Sequence, residues 1–270
     1  MSNIKSPLRY PGGKSRAIKK ILPHFPEKIQ DYREPFIGGG SLFFVIQQQQ
    51  RLALKTTWIN DLNHDLYCFW LYAQQDMPKL VTAVKTIKET YHDGRQLFAE
   101  LTQPEKTLSE FERAVRFFVL NRITFSGTVE SGGYSQQAFE QRFTESSIQR
   151  LQQISPFLTE VKITNLDYQA IINAPGDEVF VFLDPPYWKA TKSKLYGKKG
   201  DLHTTFDHEQ FAQMMKACPH RWLITYDDSP KIRDLFGFAK IVEWDLQYGM
   251  NNYRQGRAAK GQELMIKNYN

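Results

Sequence analysis

The run Val179-Phe180-Val181-Phe182-Leu183 is continuous in β-branched and aromatic side chains and stops at Asp184-Pro185-Pro186-Tyr187. An apolar run with no polar alternation fits a strand covered on both faces, as inside a parallel sheet flanked by helices. Neither proline has an N–H to donate, so strand pairing ends there. Further strand candidates lie at residues 33–36, 56–60, 161–165, 222–226, 240–244 and 263–266. Helical patterns such as residues 41–50 separate them, so a parallel or mostly parallel α/β sheet is predicted. From about Leu71 to Leu158 the pattern is instead helical and polar, with runs at 79–90 and 109–120 and a Gly- and Ser-rich loop at 126–135. The expectation is one domain made of residues 1–70 and 159–270, interrupted by an inserted helical lobe at 71–158.

Charge adds a partner class. The 270 residues carry 35 Lys+Arg against 29 Asp+Glu, a net +6, and the excess is local. Residues 1–33 hold eight basic and two acidic side chains, and residues 184–200 set Lys189, Lys192, Lys194, Lys198 and Lys199 against Asp184 alone. The 247–270 tail is also basic, while 151–183 and 201–246 are acidic. Basic islands on an acidic body suit a phosphate-rich partner such as nucleic acid, although solvated loop lysines give the same pattern. No run of about 18 apolar residues exists, so no membrane partner is expected. The start, MSNIKSPLRYPGGK, lacks an apolar core followed by a cleavage site, and a cytoplasmic location is expected. Two isolated cysteines, Cys68 and Cys218, exclude a disulfide framework and a Cys-rich zinc module, and the six histidines suggest no metal-ligand spacing; no metal is expected.

Two glycine motifs invite comparison with phosphate binders. Tyr10-Pro11-Gly12-Gly13-Lys14-Ser15 ends like a P-loop, but position 8, where that loop needs Gly, is Leu. Gly38-Gly39-Gly40-Ser41-Leu42-Phe43 begins like a dinucleotide fingerprint, yet Phe43 stands where its last glycine belongs. These glycines follow a short strand and open a helix, so the backbone can pass close to a ligand at the carboxyl edge of the sheet. Asp61 closes the next strand and can accept hydrogen bonds from a ribose diol. Without a pyrophosphate signature, a nucleoside with a short amino-acid tail fits as well as a dinucleotide, which points to S-adenosylmethionine. At Asp184-Pro185-Pro186-Tyr187, a carboxylate and a rigid carbonyl sit beside an aromatic face. That set can take both protons of an exocyclic amine while Tyr187 stacks on the ring, a contact worth about 1–3 kcal/mol.

With Arg9-Tyr10-Pro11-Gly12-Gly13-Lys14, Glu34-Pro35-Phe36-Ile37-Gly38-Gly39-Gly40-Ser41, Asn60-Asp61-Leu62-Asn63 and Asp184-Pro185-Pro186-Tyr187 in this order, the chain resembles the D12 class of N6-adenine DNA methyltransferases, the Dam-like alpha group. The resemblance implies a Rossmann-like S-adenosylmethionine-dependent methyltransferase sheet with an inserted helical target-recognition domain. It implies cofactor binding by Tyr10, Lys14, Phe36, Gly38, Gly40, Asp61 and Asp184, and catalysis by Asp184, Pro185, Pro186 and Tyr187. The implied reaction is direct in-line methyl transfer to N6 of an adenine flipped out of double-stranded DNA, without covalent intermediate or metal. Adenine is preferred over cytosine because N4-cytosine enzymes usually carry Ser where this chain has Asp184.

The segment Asn121-Arg122-Ile123-Thr124-Phe125-Ser126-Gly127 and the residues after it resemble the recognition lobe of the same family, the least uniform part of it. Arg122, Ser126, Tyr134 and Arg142 are the candidate DNA contacts; a helix cap for Arg122 and a surface ion pair for Arg142 are the structural alternatives. The lysine-rich loop 188–200 is expected to lie over the DNA backbone as a lid, or to be a plain surface loop. A monomer or weak dimer is expected, bacterial or phage-encoded, with a cognate restriction endonuclease as a possible companion. Two rival readings stand: an enzyme acting on RNA adenine or a glutamine amide, and a binding module that keeps the fold without the chemistry.

Overall fold

The structure, a computed structural model, describes residues 4–10, 13–49, 54–103, 107–129, 131–188, 205–247 and 260–270. Pro11, Gly12, residues 189–204, which take in all but Trp188 of the 188–200 loop expected as a lid or a plain surface loop, and residues 248–259 of the basic tail lie outside the described residues.

The unbroken apolar run forms β4 (Val179–Leu183), buried at every position. It sits in a seven-stranded sheet with β1 (Asp31–Glu34), β2 (Thr56–Asn60), β3 (Lys162–Thr164), β5 (Arg221–Asp227), β6 (Lys240–Gln247) and β7 (Lys260–Lys267), in the order β3-β2-β1-β4-β5-β7-β6. Pairing is parallel from β3 through β5, and β7 runs antiparallel between β5 and β6. The two last strands are longer than their hydrophobic runs suggest. Antiparallel pairing extends them through Asp245 and Gln262, polar residues that break the apolar pattern without breaking the ladder.

Alternation along β4 divides the core. Val179, Val181 and Leu183 pack with Trp222, Ile224, Leu264 and Ile266 on one face, under α11 (His208–Ala217) and α12 (Pro230–Leu235). Phe180 and Phe182 face the other way, against Ala17, Ile21 and Phe25 near α1 (Ile18–Ile21) and Leu42 and Ile46 of α2 (Ser41–Gln47). The helix α12 is capped by Ser229, whose Oγ accepts from the Ile232 N–H, and Asp228 pairs with Arg233.

Between β2 and β3 the chain is helical: α3 (His64–Gln75), α4 (Met77–Thr90), α5 (Gly94–Leu101), α6 (Glu110–Ile123), α7 (Gln136–Arg142), α8 (Glu145–Gln152) and α9 (Ser155–Leu158). The helical segment begins at His64 rather than near Leu71, because the Asn63 side chain caps it by accepting from Leu66 N–H. Its apolar core is continuous with Phe43, Phe44 and Ile59 of the sheet layer. The short α10 (Tyr168–Ile172) then leads to β4.

One member of the N-terminal basic island is interior. Arg33 is 1% exposed, donates to Asp31 Oδ2 at 2.6 Å, and donates to the carbonyls of Ile171, Ala174 and Pro175. It is a brace between β1 and the loop before β4, not a charge offered to a partner. Arg33→Met removes the donors from a half-buried carboxylate and three carbonyls; urea unfolding of the variant is expected to give a loss of about 3 kcal/mol.

Candidate active site

In a doubly wound sheet, ligands bind outside the carboxyl ends of the strands where the strand order reverses. Here that point lies between β1 and β4. The chain leaving β1 enters Pro35-Phe36-Ile37-Gly38-Gly39-Gly40, and the chain leaving β4 enters Asp184-Pro185-Pro186-Tyr187. Two motifs far apart in sequence are thereby set side by side.

Gly38 and Gly40 have φ of +46° and +67°, a region that disfavours side chains. The loop also lies under Tyr10: a Cβ on Gly38 would stand 2.9 Å from the Tyr10 ring, and one on Gly39 would stand 2.7 Å from Tyr10 Cβ. Gly38 N–H donates to Asp61 Oδ2 at 3.0 Å, Trp70 Nε1 donates to Gly38 O, and Ser6 Oγ donates to Gly39 O. Asp61 also accepts from Asn63 N–H through Oδ1. Burial pushes the Asp61 carboxyl up to about 6 against the pull of these backbone donors. Its neighbour Asn60 donates to Pro35 O and Leu166 O and accepts from Thr164 and Leu166, fastening the ends of β1, β2 and β3 together. Leu62 and Leu166 remain 55% and 42% exposed beside this knot. Phe36, half-buried, packs on Tyr168, Phe206 and Phe211.

On the β4 side, Asp184 Oδ1 takes a 2.8 Å contact from Lys14 Nζ and a hydrogen bond of 2.7 Å from Thr225 Oγ1. Lys14 is 6% exposed and its ammonium lies 4.7 Å from the Tyr187 ring centre. Tyr187 OH donates to Glu263 Oε2 on β7. Burial raises the Glu263 carboxyl to about 7 against the pull of Lys14, with Asp184 pushing it further up. At the end of β1, burial raises Glu34 to about 8; the Tyr32 hydroxyl, which donates to it at 2.8 Å, opposes this and the Asp184 charge adds to it. Lys14 thus sits by the carboxyl groups of Asp184 and Glu263; no sequence motif contained Thr225 or Glu263, and Glu34, though it opens a motif, has no implied role there.

The candidate DNA contacts fall into different environments. Arg142, in the last turn of α7, is exposed. Ser126, at φ +55°, and the 69% exposed ring of Phe125 lie on the turn after α6. Tyr134 pairs by an isolated bridge with Thr124 and carries Arg95 over its ring at 5.5 Å. Arg122 is buried, 5.3 Å over the Phe118 ring. Its Nε has no hydrogen-bond partner among the described residues. Burial together with Arg9, Arg150 and Arg142 lowers its guanidinium to about 9. Asn121 joins this lobe to the first motif: it accepts from Arg9 N–H and donates to Arg9 O and Gly127 O.

Comparison with known proteins gives this arrangement its class. The chain belongs to the D12 class N6 adenine-specific DNA methyltransferases, matching that family from residue 10 to residue 250. It is 26% identical over 246 residues to the Type II methyltransferase M1.LlaDCHI of Lactococcus lactis subsp. cremoris, which covers 87% of this chain and 76% of that protein. With the Type II methyltransferase M.MjaIII of Methanocaldococcus jannaschii it shares 25% over 214 residues, 72% of each chain. With the DNA adenine methylase of Haemophilus influenzae it shares 24% over 281 residues, 96% of this chain and 91% of that one. The family expected from the four motifs is therefore the family of the chain, and the seven-stranded α/β sheet is the fold it was expected to have.

The Glu34 carboxyl is protonated more readily in the folded than in the unfolded chain. Below its ordinary value of 4.5 it costs nothing; as pH rises from there to about 8, the unfolded chain ionises first and stability falls. Glu34→Gln is expected to remove that decline, which is at most about 1.4 kcal/mol per pH unit, as read by denaturant unfolding at pH 5 and pH 8.

Proposed function

We propose that this chain transfers a methyl group from S-adenosylmethionine to N6 of an adenine flipped out of double-stranded DNA, by direct in-line attack with no covalent enzyme intermediate. The observation that carries the reading is Asp184 at the end of β4, fixed by Lys14 and Thr225 beside the Tyr187 ring at the sheet's switch point. When bound, S-adenosylmethionine supplies an electrophilic methyl group on its sulfonium.

The residues around the switch point suit that group. Asp61 offers a carboxylate for a ribose diol, and Leu62 and Leu166 keep apolar surface exposed beside it for a purine face. Tyr10, Lys14, Phe36, Gly38 and Gly40 would line the remainder, with Asp184 at the border between cofactor and target. The Asp184 carboxylate and the Pro185 carbonyl accept hydrogen bonds from the target amine, Pro185 and Pro186 hold them stiffly, and Tyr187 stacks on the base. Lys14 and Thr225 orient Asp184, so that much of the rate comes from alignment of the reactants. No metal takes part in this proposal.

Residues 71–158 serve as the target-recognition lobe in this reading. Arg142 reaches DNA from its exposed helix end, Ser126 and Tyr134 contact bases or backbone, and the exposed Phe125 ring suits base stacking. Arg122, being buried, acts on DNA through the positive field it shares with Arg9, Arg142 and Arg150. Flipping costs a few kcal/mol, which these contacts offset. The protein works in the cytoplasm as a monomer or weak dimer, and a companion endonuclease fits relatives named Type II methyltransferases. Among the described residues no helix is long and apolar enough to cross a membrane.

Incorporation of labelled methyl into matched duplex DNA and RNA tests the reading. Asp184→Ala is expected to lose on the order of 100-fold or more of the DNA signal with an unchanged circular dichroism spectrum. Wild-type rates in that variant, or a preference for RNA, would overturn it. In a separate measurement, Arg142→Ala is expected to weaken DNA methylation while calorimetric S-adenosylmethionine affinity stays at the wild-type value; loss of both would make Arg142 structural.

A further inference from the structure

Away from the switch point, α3 and α6 bring three metal-binding side chain types to one place. His64 and Cys68 are one helical turn apart on α3, on the same face. Facing them is Glu110, the first residue of α6. His64 Nε2 lies 3.8 Å from Cys68 Sγ and 3.7 Å from Glu110 Oε1, and all three donor atoms lie within 4.8 Å of one another. Around a tetrahedral Zn2+, with Zn–S about 2.3 Å and Zn–N and Zn–O about 2.0 Å, adjacent donors stand roughly 3.3–3.6 Å apart. The two separations from His64 are close to those values, and the third, within 4.8 Å, closes when the half-exposed Glu110 side chain turns toward the ion.

We propose that His64, Cys68 and Glu110 bind one Zn2+, which joins the start of α3 to the start of α6. The donor set selects the ion: a thiolate, an imidazole and a carboxylate suit Zn2+, whereas Mg2+ and Ca2+ require oxygen ligands. Cys68 is buried and forms the floor of the site. The His64 and Glu110 side chains are 46% and 50% exposed, so an ion has a path from solvent and the side chains have room to close on it. On binding, the Cys68 S–H bond breaks as the Zn–S bond forms and the proton passes to solvent; His64 binds through neutral Nε2 and Glu110 as the carboxylate. One thiolate and one carboxylate then balance the dication. Asp65, next in the chain, does not compete, because Arg113 and Arg116 hold its two oxygens at 2.7 and 2.6 Å. A water completes the tetrahedron on the exposed side. The ion braces the helix that runs on to Asn121 and the recognition loop; methyl transfer does not pass through it.

The test uses the full-length protein after dialysis against chelator, titrated with Co2+ as a spectroscopic substitute for Zn2+. One equivalent is expected to give a thiolate-to-cobalt charge-transfer band and the visible bands of a tetrahedral ion. Cys68→Ser should abolish the charge-transfer band, and Cys218→Ser should leave it intact. Because a buried cysteine variant can fail to fold, the half-exposed ligands give a second line. His64→Ala and Glu110→Gln are each expected to weaken Co2+ binding by at least about tenfold, the scale on which even outer-shell partners act. Zn2+ should raise the Tm of the wild type and not that of His64→Ala. No charge-transfer band in the wild type, a band that survives Cys68→Ser, or an equal Tm rise in wild type and His64→Ala overturns the proposal.

Discussion

The 2.8 Å contact between Lys14 and Asp184 organises the chemistry of this molecule. Asp184, partly exposed, lies near the buried carboxyls of Glu34 and Glu263, where like charges repel more strongly than in bulk water. Among the described residues, Lys14 brings its ammonium to this group. Asp184 receives the ammonium and the Thr225 hydroxyl, while Glu34 and Glu263 are pushed toward their neutral forms. The result is an Asp184 side chain of fixed direction beside two carboxyls whose charged forms are disfavoured. The same ammonium lies over Tyr187, so one side chain touches both the acid and the aromatic ring of the β4 motif.

Features carried by continuous local patterns could be read from the sequence. The VFVFL run names β4 because nothing polar interrupts it, and the two prolines fix where it ends. The Gly38–Gly40 stretch could be read as a turn because only glycine is at ease at the positive φ of Gly38 and Gly40. Contacts closed over long separations could not be read. Thr225 and Glu263 join Asp184 and Tyr187 from β5 and β7, and no spacing in the chain announces them. Arg33 counted as a surface charge because composition does not distinguish an arginine that meets solvent from one that satisfies buried carbonyls. The start of α3 was hidden because Asn63 belongs to the Asn60–Asn63 motif as well as serving as a helix cap. With the helix taken to start near Leu71, His64 and Cys68 do not fall on a common face; with α3 starting at His64, they do.

The first motif and the helical segment between β2 and β3 meet at a joint with little tolerance. Asn121 holds Arg9 by both of its backbone groups, and Gly127, at φ +76°, lies so close that a Cβ there would stand 2.2 Å from Arg9 O. Tyr10, one residue further on, covers the glycine loop, so a displacement at the joint is handed directly to the floor of the switch-point cleft. Chimeras that exchange this helical segment between relatives therefore have a natural cutting point. A graft spliced beyond Gly127 inherits a seated N-terminal segment, whereas one spliced before Asn121 must rebuild the fit between two foreign backbones.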